Sequence, residues 1–251
     1  MALQEELKTQ GDFLFKYRGY LPVTILIVGF AIKIYYEYTI GGKDETIIAQ
    51  LMENSALIIG IIGLLVRVFT IGYTPIHTSG RNTTTGQVAA TLNTTGLYSL
   101  IRNPLYLGNY LMWLGVTMLT KNIWFVLFFS LIFWIYYERI IYAEEYFLRK
   151  KFGEIYLNWS IKTPPFLPIH FKYKRPNISF SWKKVLRMEK TGLFSLFLLF
   201  FLFDIAGKYA GKKTFVFEEN WYLIGTIVSG LIYIIIKILL KRTNFLDEAD
   251  R

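Results

Sequence analysis

The chain of 251 residues contains no cysteine and only two histidines, His77 and His170. Without cysteine there is no disulfide, no thiol nucleophile and no thiolate metal ligand. Two histidines are also too few for the clusters that usually hold a metal ion. We therefore expect a protein without a metal site, whose chemistry depends on other side chains.

Charged residues are scarce as well. They make up 18% of the chain, whereas hydrophobic residues make up 53% and the mean hydropathy is +0.36. This composition is typical of a membrane protein. The net charge of +10 could suggest nucleic acid, but in a membrane protein a bias of Lys and Arg toward cytoplasmic loops explains it. We expect a membrane as the partner and no nucleic acid.

Apolar runs predict an all-α, polytopic integral membrane protein in which residues 1–251 form a single membrane domain. A span crosses roughly 30 Å of hydrocarbon with about 20 residues. The six predicted spans are 20–40, 47–69, 104–119, 122–150, 193–210 and 221–240. A re-entrant hairpin is the alternative for the fifth span, because its uninterrupted apolar run is short. We expect Lys33 to extend outward to the interface and Glu53 to be a satisfied polar residue.

Six spans place both termini on one side of the membrane. Most Lys and Arg residues fall on that side, which the positive-inside rule makes cytoplasmic. The long polar loop 73–102 lies there too, and loops of this length are often functional. The basic stretch 151–190 contains several aromatic residues, and we expect it to lie on anionic headgroups.

A helix start in front of the third span is the most informative local feature. Asn103 and Pro104 stand where the polar loop meets an apolar helical pattern. Proline is favoured in the first turn of a helix, and an asparagine before it can cap free N–H groups with its side chain. Such a helix start presents unpaired N–H groups and a partial positive charge, so it can bind an anion.

The third and fourth spans are predicted to form a helical hairpin across the short turn 120–122. At 1.5 Å per residue the fourth segment is about 43 Å long, against roughly 30 Å of hydrocarbon. Its last turns must therefore protrude, on the side of the membrane that holds Arg102. These turns carry Glu138, Arg139, Glu144 and Glu145. One hairpin is thus expected to bring an acidic helix end to the helix start at residues 103–104.

Two motifs carry a resemblance to a known family. The first has the pattern G-x-Y-x-x-x-R-x-P-x-Y-x-G and consists of Gly96, Tyr98, Arg102, Pro104, Tyr106 and Gly108. The second has the pattern E-E-x-x-L, F-G-x-x-Y and then prolines; it consists of Glu144, Glu145, Leu148, Phe152, Gly153, Tyr156, Pro164, Pro165 and Pro168. In this order the motifs resemble the isoprenylcysteine carboxyl methyltransferases and the related phospholipid methyltransferases. Asn103 departs from the family, which usually has His at this position.

The resemblance covers roughly residues 80–168, which we expect to be the methyltransferase core, with residues 191–240 as additional C-terminal helices. It implies S-adenosyl-L-methionine as the cofactor and Glu144 as a cofactor ligand. The other cofactor-binding residues that the resemblance implies are Gln87, Leu92, Tyr98, Asn103, Pro104, Leu105 and Tyr106. The surroundings of the first motif look more like bacterial members, which favours a lipid substrate and a bacterial inner membrane.

The residues themselves suit such a cofactor. Its amine would pair with a carboxylate, its carboxylate with the helix start, and its sulfonium with aromatic faces. Methyl transfer to an ionised acceptor needs no general base, and catalysis then rests mainly on positioning. Arg139 is the first candidate to hold the acceptor and Arg102 the second, and Glu145 completes the candidate catalytic residues. Alternatively, Arg139 and Glu145 are solvated charges, with Glu145 paired to Arg149.

The acceptor stays open at this point. It could be a carboxylate, phosphate or amine head group of a lipid or a lipidated substrate. Two other classes of protein are also open: an NADPH-dependent membrane reductase of steroids or lipids, and a transporter or scaffold without chemistry.

Overall fold

The computed structural model describes residues 2–40, 46–75, 78, 82–83, 86–87, 89–169, 171–212 and 221–248. Its helices are α1 (Leu3–Lys16), α2 (Tyr20–Ile40), α3 (Ile47–Gly72), α4 (Pro104–Met118), α5 (Ile123–Phe152), α6 (Glu154–Ser160), α7 (Trp182–Lys212) and α8 (Trp221–Arg242). A 3-10 turn covers Leu97–Ser99, and the antiparallel strands β1 (Asn82–Thr83) and β2 (Gly86–Gln87) form a small hairpin.

Five of these helices, α2, α3, α5, α7 and α8, are long and apolar enough to cross a membrane. The predicted class of a helical, polytopic membrane protein is therefore confirmed. Helix α4 has 15 residues, and at 1.5 Å per residue it is about 22 Å long, shorter than the hydrocarbon core. The count of six spans thus stays a prediction.

Helix α7 differs most from its predicted bounds. It is one continuous helix from Trp182 to Lys212, so the re-entrant hairpin is wrong. The helix begins well before the predicted start because polar residues of its first turns, Lys184 and Glu189, are buried against other parts of the fold. The Lys184 ammonium, for example, donates to the Thr74 carbonyl at 2.7 Å. Hydropathy alone cannot detect polar residues whose partners come from a distant segment.

Helix α1 was not predicted, since the sequence of its first turns is polar. It packs against the last turns of α5. A Cβ atom at Gly11 would lie 2.2 Å from the Arg139 carbonyl oxygen, so this contact requires glycine. The Tyr136 hydroxyl also donates to the Leu14 carbonyl at 3.1 Å. The N-terminal segment therefore belongs to the helical fold at this end of α5.

Helices α3 and α4 cross at very close range. A Cβ atom at Gly63 would meet the Gly108 carbonyl oxygen at 2.6 Å, and one at Gly108 would meet the Gly63 carbonyl oxygen at 2.8 Å. Small residues allow such backbone contact between membrane helices. The crossing brings Arg67, one turn further along α3, next to the first turns of α4.

Two ionisable residues of the predicted spans, Lys33 and Glu53, form ion pairs with other side chains. Lys33 does not extend outward as predicted: it is buried, and its ammonium lies 2.7 Å from the Glu37 carboxylate. Glu53 is satisfied as expected, because the Lys121 ammonium lies 2.9 Å from its carboxylate. Pairing offsets the large free-energy cost of a charge at this depth.

Both chain ends meet the same end of the bundle. The Ser181 N–H, just before α7, donates to the Gly72 carbonyl at 2.9 Å where α3 ends. The C-terminal tail reaches the same place, since Asp247 lies 3.6 Å from Arg187 of α7. Helix α1 packs on the last turns of α5, whose neighbours include the beginning of α4. This end of the bundle also contains a cavity that is lined by residues of both sequence motifs.

Candidate active site

A cavity of about 560 Å³ opens between the turn after α1, the end of α3, the polar loop before α4, the start of α4 and the end of α5. The structure brings seven of the predicted site residues to its lining. They are Leu92, Tyr98, Arg102, Asn103, Leu105, Tyr106 and Glu144. The hairpin of α4 and α5 therefore joins the two sequence motifs at one cavity.

The two motifs also contact each other directly. The Arg102 guanidinium donates to the Glu145 carboxylate at 2.9 Å. The proline segment of the second motif binds the backbone of the first: the Arg102 N–H donates to the Pro164 carbonyl at 2.8 Å, and the Asn103 N–H donates to the Pro165 carbonyl at 3.2 Å. These bonds fix the chain as it enters α4.

The predicted cap by the Asn103 side chain is wrong. The side chain makes no capping hydrogen bond to α4 and instead donates to the Pro165 carbonyl at 3.2 Å. The Pro165 carbonyl thus accepts a hydrogen bond from the Asn103 side chain, which would otherwise cap the N–H groups at the start of α4. The first turn of α4 keeps N–H groups without a side-chain cap, which is the condition for binding an anionic group there.

Glu144 and Glu145 point in different directions, as expected for neighbours about 100° apart on a helix. Glu144 lines the cavity, and its carboxylate is hydrogen-bonded by the Tyr106 hydroxyl. The Tyr106 ring packs in turn on Tyr137, with 4.9 Å between ring centres. Glu145 is instead occupied by Arg102. The cavity is therefore supplied with one oriented carboxylate.

Tyr98 forms part of the cavity wall. Burial, and then the nearby Glu144 carboxylate, raise the pKa of the Tyr98 hydroxyl well above its ordinary value, so it stays protonated at neutral pH. The indole N–H of Trp159 donates to the Tyr98 carbonyl at 3.2 Å. The second motif thus holds the loop before α4 in place through a helix, α6, that follows α5.

Four predicted site residues are not part of the described lining. Arg139 points to α1, where its Nε donates to the Gln10 amide oxygen at 2.9 Å, and it lines no part of this cavity. Pro104 is buried at the start of α4, and the Glu145 carboxylate forms an ion pair with Arg102. Gln87 lies in β2 and pairs with Asn82, but its side chain is outside the described residues. The alternative pair of Glu145 with Arg149 is replaced by the pair with Arg102.

The sequence analysis missed several polar residues of the cavity, among them Arg18, Arg67 and Asn109. Arg67 had a signal, because an ionisable residue inside an apolar span is by default a candidate functional residue. No such signal marked Arg18 and Asn109, because their positions depend on the turn between α1 and α2 and on the crossing of α3 and α4. The lining contains four charged side chains, which are Arg18, Arg67, Arg102 and Glu144.

Metal ligands were not expected. Within the described residues there is no group of three or more His, Cys, Asp or Glu side chains that could hold a metal ion. Both histidines are outside the described residues. The absence of a metal site therefore stays a prediction.

The fold and the cavity define the class of this protein. It is a helical membrane protein in which a carboxylate faces the start of a helix whose first residue is proline. Residues 55–155 match the family described as phospholipid methyltransferase. Protein-S-isoprenylcysteine O-methyltransferase of Schizosaccharomyces pombe is 36% identical over 78 residues, which cover 31% of this chain and 33% of that protein. The resemblance to the isoprenylcysteine methyltransferase-like and phospholipid methyltransferase family is thereby confirmed.

Two proteins of another description are also similar. The nickel-cobalt-cadmium resistance protein NccN of Alcaligenes xylosoxydans xylosoxydans is 32% identical over 47% of this chain and 52% of its own length. The cobalt-zinc-cadmium resistance protein CzcN of Cupriavidus metallidurans is 33% identical over 45% and 49%. The chain thus spans only about a third to a half of the length of these relatives. No solved structure matches it.

Proposed function

We propose that this protein is an S-adenosyl-L-methionine-dependent methyltransferase that acts on the head group of a lipid or lipidated substrate at the membrane interface. One observation carries the proposal: Glu144, Tyr106 and the uncapped start of α4 face a single cavity. Relatives described as protein-S-isoprenylcysteine O-methyltransferases support the reaction class.

The residues of the cavity fit the groups of this cofactor. Glu144, oriented by the Tyr106 hydroxyl, would accept hydrogen bonds from the amine. The N–H groups of Leu105 and Tyr106 in the first turn of α4 would donate to the carboxylate. The faces of Tyr98 and Tyr106 would border the sulfonium, and Leu92 would border the nucleoside. A volume of about 560 Å³ lies within the range of small-molecule and cofactor sites.

The chemistry requires little beyond orientation. The bound cofactor supplies a methyl group that an acceptor oxygen or nitrogen takes in line, while the carbon–sulfur electron pair stays on sulfur. A carboxylate or phosphate acceptor would be ionised already; an amine would have to lose a proton to solvent or a carboxylate. The chain's part is to hold the acceptor in line and exclude water, and orientation of this kind can lower a barrier by roughly 7–11 kcal/mol.

We assign the acceptor-facing cation to Arg102 rather than Arg139. Arg102 lines the cavity, whereas Arg139 is turned toward Gln10. Glu145 acts through Arg102 by fixing its guanidinium, so it is a positioning residue. This order reverses the one expected from sequence.

We place the cavity on the cytoplasmic side, with both termini there, in a bacterial inner membrane. The excess of Lys and Arg on that side supports this orientation. Residues 80–168 are proposed as the methyltransferase core of a single membrane domain, and residues 191–240 as helices added to it.

Calorimetry tests the proposal against its rivals. S-adenosylhomocysteine titrated into the purified protein should give a saturable heat, and NADPH should give none. Heat with NADPH alone would favour the reductase, and heat with neither would favour a transporter or scaffold. The acceptor can then be sought by comparing lipid extracts of cells with and without the protein for a class that gains the mass of one methylene group.

A further inference from the structure

A second cavity of about 220 Å³ lies among α3, α4 and α7. Its walls are mainly apolar and include Met112, Trp113 and Val116 of α4 and Leu196 and Leu199 of α7. Arg67 and Asn109 line this cavity and also the first one. The two cavities are therefore neighbours on either side of a polar contact.

That contact is held by a buried acid of α7. The Arg67 guanidinium donates twice to Glu189, from Nε at 2.8 Å and from Nη2 at 2.6 Å. Its Nη1 donates to the Asn109 side-chain oxygen at 2.5 Å. Glu189 is only 4% exposed, and a buried bidentate pair fixes both position and orientation.

Arg67 has donors beyond these bonds. A guanidinium carries five N–H groups, and within the described part of the chain three of them are engaged. Two N–H groups, one on each terminal nitrogen, are left at the boundary between the cavities. Because Glu189 balances the charge, they can bind a polar head group without requiring it to be anionic.

The surroundings indicate the occupant. The helices that enclose the second cavity are two bilayer-crossing helices and α4, and the neighbouring Leu202 of α7 is 40% exposed. An apolar cavity of this kind is a poor site for water, while the bilayer supplies hydrocarbon chains at high concentration. An apolar space that ends at a fixed polar group is complementary to a lipid, because a lipid is a hydrocarbon chain with a polar head.

We propose that the second cavity binds one hydrocarbon chain of the lipid that is methylated, with Arg67, held by Glu189, hydrogen-bonded to the polar group at the head of that chain. This inference rests on the proposed function. It assigns α7, which lies outside the matched segment 55–155, to substrate selection. Helix α7 would thus determine which hydrocarbon chain is bound, while α4 and α5 form the site for the methyl donor.

Photolabelling of the full-length protein in nanodiscs tests the inference. The probe is a phosphatidylethanolamine with a diazirine in the middle of one acyl chain. We expect labelled peptides from α4 around Met112 and from α7 around Leu199. We expect Leu199→Trp, which fills the cavity, to lower this labelling at least tenfold. Leu202→Trp, on the exposed side of the same helix, is the matched control and should leave it unchanged.

A second variant tests the head-group contact. Glu189→Gln keeps the shape of the side chain but frees Arg67, and we expect the labelling of α4 to fall severalfold. Binding of S-adenosylhomocysteine, measured in parallel, should be retained in Leu199→Trp and Leu202→Trp, because neither side chain lines the first cavity.

The two proposals fail in different ways. Labelling of the unmodified protein confined to outward-facing residues such as Leu202 would overturn the chain site, even with S-adenosylhomocysteine bound normally. Labelling at Leu199 that Leu199→Trp does not reduce would also overturn it. Cavity labelling without any S-adenosylhomocysteine binding would leave a lipid site but overturn its role in methyl transfer. The labelling map of the unmodified protein decides the matter if a variant does not fold.

Discussion

Arg102 and Glu145 are 43 residues apart in the chain, yet their side chains form an ion pair at 2.9 Å. The pair links the loop that enters α4 to the last turns of α5. At this end of the hairpin, the Glu144 side chain faces the cavity, while the Glu145 side chain points toward Arg102. Of two adjacent acids, one therefore faces the cavity and the other joins two segments of the fold.

Removing the charge of the Glu144 carboxylate should weaken cofactor binding. We expect Glu144→Gln to weaken S-adenosylhomocysteine binding by ten- to a hundredfold, since a hydrogen bond to a charged group contributes about 1.5–3 kcal/mol. Calorimetry on the purified variant measures this. Glu138→Gln is the control, because its side chain is 59% exposed on the same helix, and it should bind as the unmodified protein does. Equal affinities of the two variants would contradict the role of Glu144.

The Arg102–Glu145 pair should show coupling in a double-mutant cycle. We expect a coupling free energy of roughly 1–2 kcal/mol between Arg102→Gln and Glu145→Gln, because both side chains are mostly buried, at 20% and 27% exposure. The free energy of unfolding of the four proteins in mixed micelles supplies the cycle. Strictly additive effects would mean that the pair does not hold the two motifs together.

The crossing of α3 and α4 should not tolerate a methyl group at Gly108. A Cβ atom there would lie 2.5 Å from Arg67 Cγ and 2.8 Å from the Gly63 carbonyl oxygen. We expect Gly108→Ala to lower the free energy of unfolding by about 1–3 kcal/mol. Gly19→Ala is the control, since a Cβ atom at Gly19 meets nothing within 4 Å, and it should leave the stability nearly unchanged. Similar melting temperatures for the two variants would argue against close contact of the helices.

The orientation in the membrane can be measured with single cysteines, since the chain has no cysteine of its own. Thr9→Cys and Asn244→Cys place a thiol near either terminus, and Ile47→Cys places one at the first residue of α3. In intact cells, a membrane-impermeant maleimide should label only the cysteine at position 47. After the cells are opened, all three should react. Labelling of positions 9 or 244 in intact cells would reverse the proposed orientation.

Much of the site could be predicted because its parts are local in sequence. The proline at the start of α4 and the length of α5 follow from rules that act within one helix. These local rules were enough to predict that Glu144 and Tyr106 lie close together. The cap by Asn103 could not be judged in this way, because its outcome depended on Pro165, which competes for the same side chain from 62 residues away.

The sequence by itself determined that the chain is helical and crosses the membrane, because long apolar runs leave the backbone no other way to satisfy its N–H and C=O groups in lipid. It also contains the two motifs that carry the resemblance to the family. Only the tertiary structure decided which charges face the cavity: Arg67 and Arg102 do, and Arg139 does not. A helical pattern gives the direction of a side chain about its own axis, but the helix that meets it there is chosen by packing across the whole fold.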